Sequence, residues 1–134
     1  MKPKESTERI SKIINRVAAS KGYQIADNRR LLVNTKPPIN YQPDFLLMSK
    51  EGIFVIEMEI TTDAIKQVIG DIVRAGLLGS NKFIAVVINA PSKNLIEKYG
   101  KALCSSIGQL KTMQVLSILY ENDKSFERTL KELL

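Results

Sequence analysis

Residues 44–60 leave this chain little choice of local structure. Two apolar runs, 44–48 and 53–60, flank the tetrapeptide Ser49-Lys50-Glu51-Gly52. Strand-length apolar segments separated by a short polar turn that contains glycine pair as an antiparallel hairpin. With the turn closed at those four residues, Met48 faces Ile53, Leu46 faces Val55 and Asp44 faces Glu57. Glu57 and Glu59 are two apart, and side chains in a strand alternate with period two, so both point to one face. Directly opposed residues also share a face, with Cβ atoms ~4.5–5.5 Å apart. The hairpin therefore gathers Asp44, Glu57 and Glu59 on one patch of sheet. A slip of one residue would scatter them.

The segments around the hairpin set the fold class. Ile10, Ile13, Ile14, Val17 and Ala18 form the i, i+3, i+4, i+7, i+8 stripe of an amphipathic helix, capped by Ser6 or Thr7 and followed by Gly22. A short strand is expected at 23–26. Residues 27–42, with two prolines and three asparagines, read as loop with a strand piece at 31–33. After the hairpin, Thr61 or Thr62 caps a helix whose stripe is Ile65, Val68, Ile69, Ile72 and Val73, ending at Gly79. Residues 83–88 are apolar throughout, the pattern of a strand buried on both faces. A helix from Pro91 and Ser92 to about Ser106, a strand at 113–119 and a helix at 124–134 complete the chain. A hairpin followed by helical crossovers predicts an α/β fold with a mixed central sheet flanked by helices, all in one domain spanning 1–134.

Composition removes several chemistries. The 134 residues contain no histidine and one cysteine, Cys104. This excludes Ser-His-Asp hydrolysis, histidine-ligated metals, a disulfide within the chain and a cysteine-based zinc site. Cys104, among Ala102, Leu103 and Ile107, reads as a small buried residue. Any catalysis falls to carboxylates, Lys, Tyr or a metal held by oxygen. A net charge of +6 and a pI near 9.5 favour polyanionic partners through phosphate contacts. The N-terminus lacks the apolar run of a signal peptide, and no apolar stretch approaches the ~20 residues of a membrane span. The expectation is a cytoplasmic protein with no membrane contact.

Like charges opposed across a sheet destabilise it unless a cation lies between them. A divalent ion with carboxylate and water ligands meets that need. Asp44, Glu57 and Glu59 are therefore the candidate metal ligands, and Mg2+ or Mn2+ the candidate ion.

Pro43-Asp44, then Glu57-Met58-Glu59 thirteen residues beyond Asp44, then a helix, resembles the PD-(D/E)xK nuclease superfamily, which includes restriction endonucleases and the archaeal Holliday-junction resolvases. The resemblance spans roughly residues 8–89. Ile56-Glu57-Met58 is similar to the corresponding resolvase strand. It implies a restriction endonuclease-like core and metal-dependent DNA endonuclease activity that hydrolyses phosphodiester bonds. Asp44 and Glu57 match the two metal-binding acids. Glu59 stands where the family has a lysine that orients or activates the attacking water, although some restriction enzymes carry Glu-x-Glu. Lys66, early in the next helix, is the candidate for a displaced positive charge, with Gln67 beside it. Resolvases also use a glutamate in the first helix. Glu8 or Glu5 would serve, but counting back from Gly22 puts the expected position nearer Ser11.

Arg29, Arg30 and Lys36, in the loop before Asp44, are candidates for holding the DNA backbone. Small size and the apolar segments 115–119 and 130–134 suggest a homodimer. Two other readings stand beside the nuclease: a catalytically inactive DNA-binding or regulatory domain on the same scaffold, and a structural or assembly protein. Nucleotide binding has no glycine-rich phosphate loop to support it.

Overall fold

The computed structural model describes residues 3–26, 31–59 and 64–134. The expected order of elements holds. Helix α1 (Pro3–Ser20) leads into β1 (Gln24–Ile25), β2 (Leu31–Val33), β3 (Ile39–Tyr41), β4 (Phe45–Ser49) and β5 (Gly52–Met58). Then come α2 (Ala64–Leu78), β6 (Lys82–Val87), α3 (Ala90–Ser106), a single 3-10 turn (Gly108–Leu110), β7 (Gln114–Leu119) and α4 (Asp123–Leu133).

Five strands form a mixed sheet in the order β1-β4-β5-β6-β7. β1 and β5 run antiparallel to β4, while β5, β6 and β7 are parallel. Each parallel step is bridged by a helix, as a crossover requires. The hairpin register is the expected one, with Met48 opposite Ile53 and Leu46 opposite Val55. The ladder extends one pair further, to Ser49 opposite Gly52, so only Lys50 and Glu51 turn the chain. Gly52 has φ +136°, and a Cβ there would overlap the side chain of Asn81. That side chain is needed: its Oδ1 accepts the Ile53 N–H at 3.0 Å, and its backbone links Ile53 to Gln114.

Strand alternation splits the core into two layers. On one face Phe54 and Ile56 pack with Ile84, Val86 and Ile118 against Ile10, Ile14 and Val17 of α1 and Phe126 and Leu130 of α4. On the other, Leu46, Val55, Phe83, Ala85 and Val87 pack against Val68, Ile72 and Ala75 of α2 and Ile96 of α3. The continuous apolar run of β6 is buried on both faces, as read from its sequence. Helix α4 is fixed to α1 by ion pairs from Arg9 to Asp123 at 2.7 Å and from Arg16 to Glu127 at 2.8 Å.

Several further details depart from the sequence reading: α1 begins at Pro3, so Ser6 and Thr7 lie within it and do not cap it. Residues 39–41, read as loop, pair with residues 31–33 in a separate two-stranded sheet. Strands of three residues carry too few positions for periodicity to register. Strand β5 ends at Met58, so Glu59 lies just beyond it, although its N–H still donates to the Val86 carbonyl at 2.8 Å. Cys104 is only partly buried, at the margin of the α2/α3 layer. The cap assigned to Thr61 or Thr62 lies outside the described residues. No helix among the described residues is long and apolar enough to cross a membrane.

Candidate metal centre

Val55 faces the α2/α3 layer. Alternation sends Glu57 and then Glu59 the same way. Near the carboxyl end of β5 the apolar packing gives way to a cleft of about 430 Å3, bounded by the ends of β3 and β5, the start of β4 and the middle of α2. Asp44, Glu57 and Glu59 all line it. So do Tyr41, Gln67, Asp71 and Arg74.

Asp44 and Glu57 hold each other through the backbone. The Asp44 N–H donates to Glu57 Oε1 at 2.8 Å, and the Met58 N–H donates to Asp44 Oδ2 at 2.8 Å. The Tyr41 hydroxyl donates to the same Glu57 oxygen at 3.3 Å. These contacts continue the hairpin ladder with side chains after the β4–β5 strand pairing ends at Phe45 and Ile56.

Helix α2 supplies what the sequence reading missed. Carboxylate oxygens of Glu57, Glu59 and Asp71 all lie within 4.8 Å of one another, and the three residues are buried. Oxygen ligands at 2.0–2.6 Å from a Mg2+ or Ca2+ ion are separated from each other by at most about 5 Å. The donor set therefore fits a hard divalent cation. Asp71 is ion-paired with Arg74 at 2.7 Å, and the Arg74 guanidinium lies 5.4 Å from the centre of the Tyr41 ring. Gln67, Asp71 and Arg74 recur at i, i+4 and i+7, which puts them on one helical face. That spacing was visible in the sequence, where Asp71 is the lone acid of α2.

Electrostatics matches the crowding. Burial holds the Glu57 carboxyl well above the usual carboxylate range, reinforced by the charges of Asp44 and Asp71 and opposed by the Asp44 N–H. Glu59 is raised in the same direction by burial, then by its hydrogen bond and charge interaction with Asp71. Asp44 is solvent-exposed at the rim, yet the protein around it displaces enough water to raise its pKa. The Met58 N–H works against that rise, and Asp71 adds to it. Burial is the largest cause for all three, and the neighbouring carboxylates add to it.

Asp44 lines the cleft but is not one of the three acids whose oxygens converge, and the other nominated residues stand further out. Lys66 is exposed near the start of α2 and is not among the residues lining the cleft. Lys36 is exposed in the connection between β2 and β3. Arg29 and Arg30 lie outside the described residues. Glu5 and Glu8 are exposed on α1. Ser11, where the helix count pointed, contacts Met58 Sδ at 3.9 Å on the α1/α4 face of the sheet, opposite the face of Glu57 and Glu59. No protein-family model matches this chain, and neither the curated proteins nor the solved structures yield a match.

Proposed function

We propose that this chain is a metal-dependent DNA endonuclease that hydrolyses phosphodiester bonds, with Asp44, Glu57, Glu59 and Asp71 as the acids of a Mg2+ or Mn2+ centre. The observation that carries the reading is the convergence of buried Glu57, Glu59 and Asp71 oxygens within 4.8 Å of one another on a cleft that also contains Asp44. A bound divalent ion would polarise a phosphoryl oxygen and lower the pKa of an attacking water. The chain's residues supply the rest. The Asp44 N–H orients Glu57 and the Met58 N–H orients Asp44, which keeps these acids organised before an ion arrives. Glu59, once ionised, is the acid available to take a proton from the attacking water. The excess of basic residues, +6 overall, draws the polyanion, and Lys36, Lys66, Arg29 and Arg30 would contact its backbone.

A second reading has its own support. Among the described residues lining the cleft there is no lysine, and Glu59 takes the position where the resembling nucleases carry one. A DNA-binding or regulatory domain that keeps the metal without cutting would have such a cleft. The deciding experiment is cleavage of plasmid and branched DNA with Mg2+ and Mn2+, using Asp44→Asn as control. Cutting that disappears in the variant supports the nuclease. Metal and DNA binding without cutting supports the second reading. Failure to bind either leaves a structural or assembly protein.

A homodimer belongs to the nuclease reading, because symmetrical cutting of a duplex or junction needs two centres. Of the apolar segments 115–119 and 130–134, Ile118 and Leu130 are buried within the fold, while Val115, Leu116, Leu119, Leu133 and Leu134 stay partly exposed. Light scattering with and without DNA tests it.

A further inference from the structure

We infer that Arg74 is the phosphate-binding residue of this cleft, held in reserve by Asp71 until a metal claims that carboxylate. The inference rests on the metal-centre reading above and adds a substrate-contacting group to it.

Arg74 is the only cationic side chain among the described residues lining the cleft. Four carboxylates line the same space. A phosphodiester drawn to an ion in that company needs a second positive group, or the acids repel it. The guanidinium is placed to serve. Its side chain is 37% exposed, and its ion pair with Asp71 uses Nη2. Its Nε is buried without a hydrogen-bond partner. A buried donor without an acceptor is costly, so such an atom in a functional cleft points to an absent acceptor. The Tyr41 ring supports the guanidinium at 5.4 Å, and Tyr41 in turn donates to Glu57, so the cation and the metal ligands share one scaffold.

Asp71 serves both groups. With no ion bound, it pairs with Arg74; it is also one of the three acids whose oxygens converge. When Asp71 turns to a cation, Arg74 loses its ion pair and its side chain is free to swing outward, which brings Nε from its buried place and lets Nε and Nη2 form the two-pronged contact that a guanidinium makes with phosphate oxygens. Metal uptake thereby prepares the anion site, and the lysine missing from position 59 is replaced from the helix.

The test separates this inference from its parent. Metal affinity is measured by calorimetric titration with Mg2+. DNA affinity is measured by fluorescence anisotropy of a labelled duplex in Ca2+, over a range of salt, for wild type, R74Q and R74K. R74Q is expected to bind the metal as tightly as wild type or tighter, since Asp71 loses its competitor. It is expected to bind DNA roughly 10- to 100-fold more weakly. Its slope of log affinity against log salt should fall by about one. R74K should recover part of the affinity and the full salt slope. A guanidinium that only balances Asp71 would give R74Q normal DNA affinity and an unchanged salt slope, and either result overturns the inference. If wild type takes up no metal, the parent reading fails by itself. Arg74 is then judged by metal-free DNA binding at low salt, where an R74Q affinity equal to wild type overturns it. If R74Q does not fold, D71N decides, compared with the charge-matched E59Q. Freeing Arg74 should make D71N the tighter DNA binder of the two, and equal affinities overturn the inference.

Discussion

Asp44 and Glu57 are locked together: the backbone N–H of Asp44 donates to Glu57 Oε1 at 2.8 Å, and Asp44 Oδ2 accepts the next N–H along β5, that of Met58, at 2.8 Å. The backbone N–H groups of Asp44 and Met58 thus hold the two carboxylates in place. Replacing Asp44 with Asn preserves an oxygen for the Met58 N–H and removes a charge. Metal affinity should fall at least tenfold, at about 1.4 kcal/mol per factor of ten. The stabilisation that wild type gains from metal, about 2.7 kcal/mol at one hundred times Kd, should fall to about half or less at the same metal concentration. Thermal melts with Mg2+ and with a chelator measure both effects. A metal-induced rise in Tm as large in Asp44→Asn as in wild type would remove Asp44 from the ligand set.

The raised pKa values of Glu57, Glu59 and Asp44 give the metal-free protein a definite pH dependence. A carboxyl whose folded pKa lies above its unfolded value binds more protons in the folded state. Its contribution to stability is complete below the ordinary carboxylate pKa near 4.5 and is lost as pH rises towards the raised value. With a chelator present, unfolding free energy should therefore decline from mildly acidic to alkaline pH, by on the order of 2 kcal/mol. Saturating Mg2+ favours the ionised acids and should flatten or reverse that decline. Urea titrations across this range, with and without metal, measure the slope. Equal slopes in the two conditions would show that no ion reaches these carboxyls.

Glycine placement gives a prediction independent of the site. A Cβ on Gly76, in α2, would stand 2.7 Å from Leu110 Cδ1 and closer still to its Cγ, and Leu110 is fully buried. Gly76→Ala should gain up to ~1 kcal/mol from helix propensity and lose ~1–3 kcal/mol to overpacking, for a net destabilisation. Chemical denaturation should register it as a lower midpoint. A midpoint at or above that of wild type would mean that the 3-10 turn carrying Leu110 yields easily.

The acidic hairpin could be read from the sequence because two constraints agreed there. The turn at residues 49–52 fixed the register, and period-two alternation then fixed the face of Glu57 and Glu59. Nothing local joins α2 to that face. Asp71 and Arg74 reach the acids only because Val68, Ile72 and Ala75 dock α2 on the sheet, and that rotation is set by packing across the layer. The lone acid of an apolar helix, with Gln67 and Arg74 at helical spacing from it, was the available signal. Lys66 is a lysine near the expected position, but it is exposed and does not line the cleft. The β2–β3 pairing escaped because strands of three residues carry no period to read.

Glu59 is where substitution is most informative. It is 5% exposed, and its carboxyl is hydrogen-bonded to that of Asp71. Two carboxyls in contact share a proton or a cation. Glu59→Gln retains the contact without the proton and removes one charge. The metal-free fold should be stabilised, by on the order of 1 kcal/mol at neutral pH. Metal affinity should weaken less than in Asp44→Asn, which loses a ligand from the interlocked pair. Cleavage should be abolished, because the proton acceptor has gone. Glu59→Lys is a different experiment. A lysine there would pair with Asp71 and Glu57, compete with Arg74 for Asp71, and restore the charge pattern of the resembling nucleases. Metal-free stability should rise further, metal affinity should fall, and cleavage should survive at least in part, since a lysine in this place can orient the attacking water. Melting with a chelator, calorimetric titration with Mg2+ and a plasmid cleavage assay give three independent numbers for each variant. A Glu59→Gln protein that cuts at the wild-type rate would show that the proton leaves by another route, and Glu59 would then be a structural acid beside Asp71.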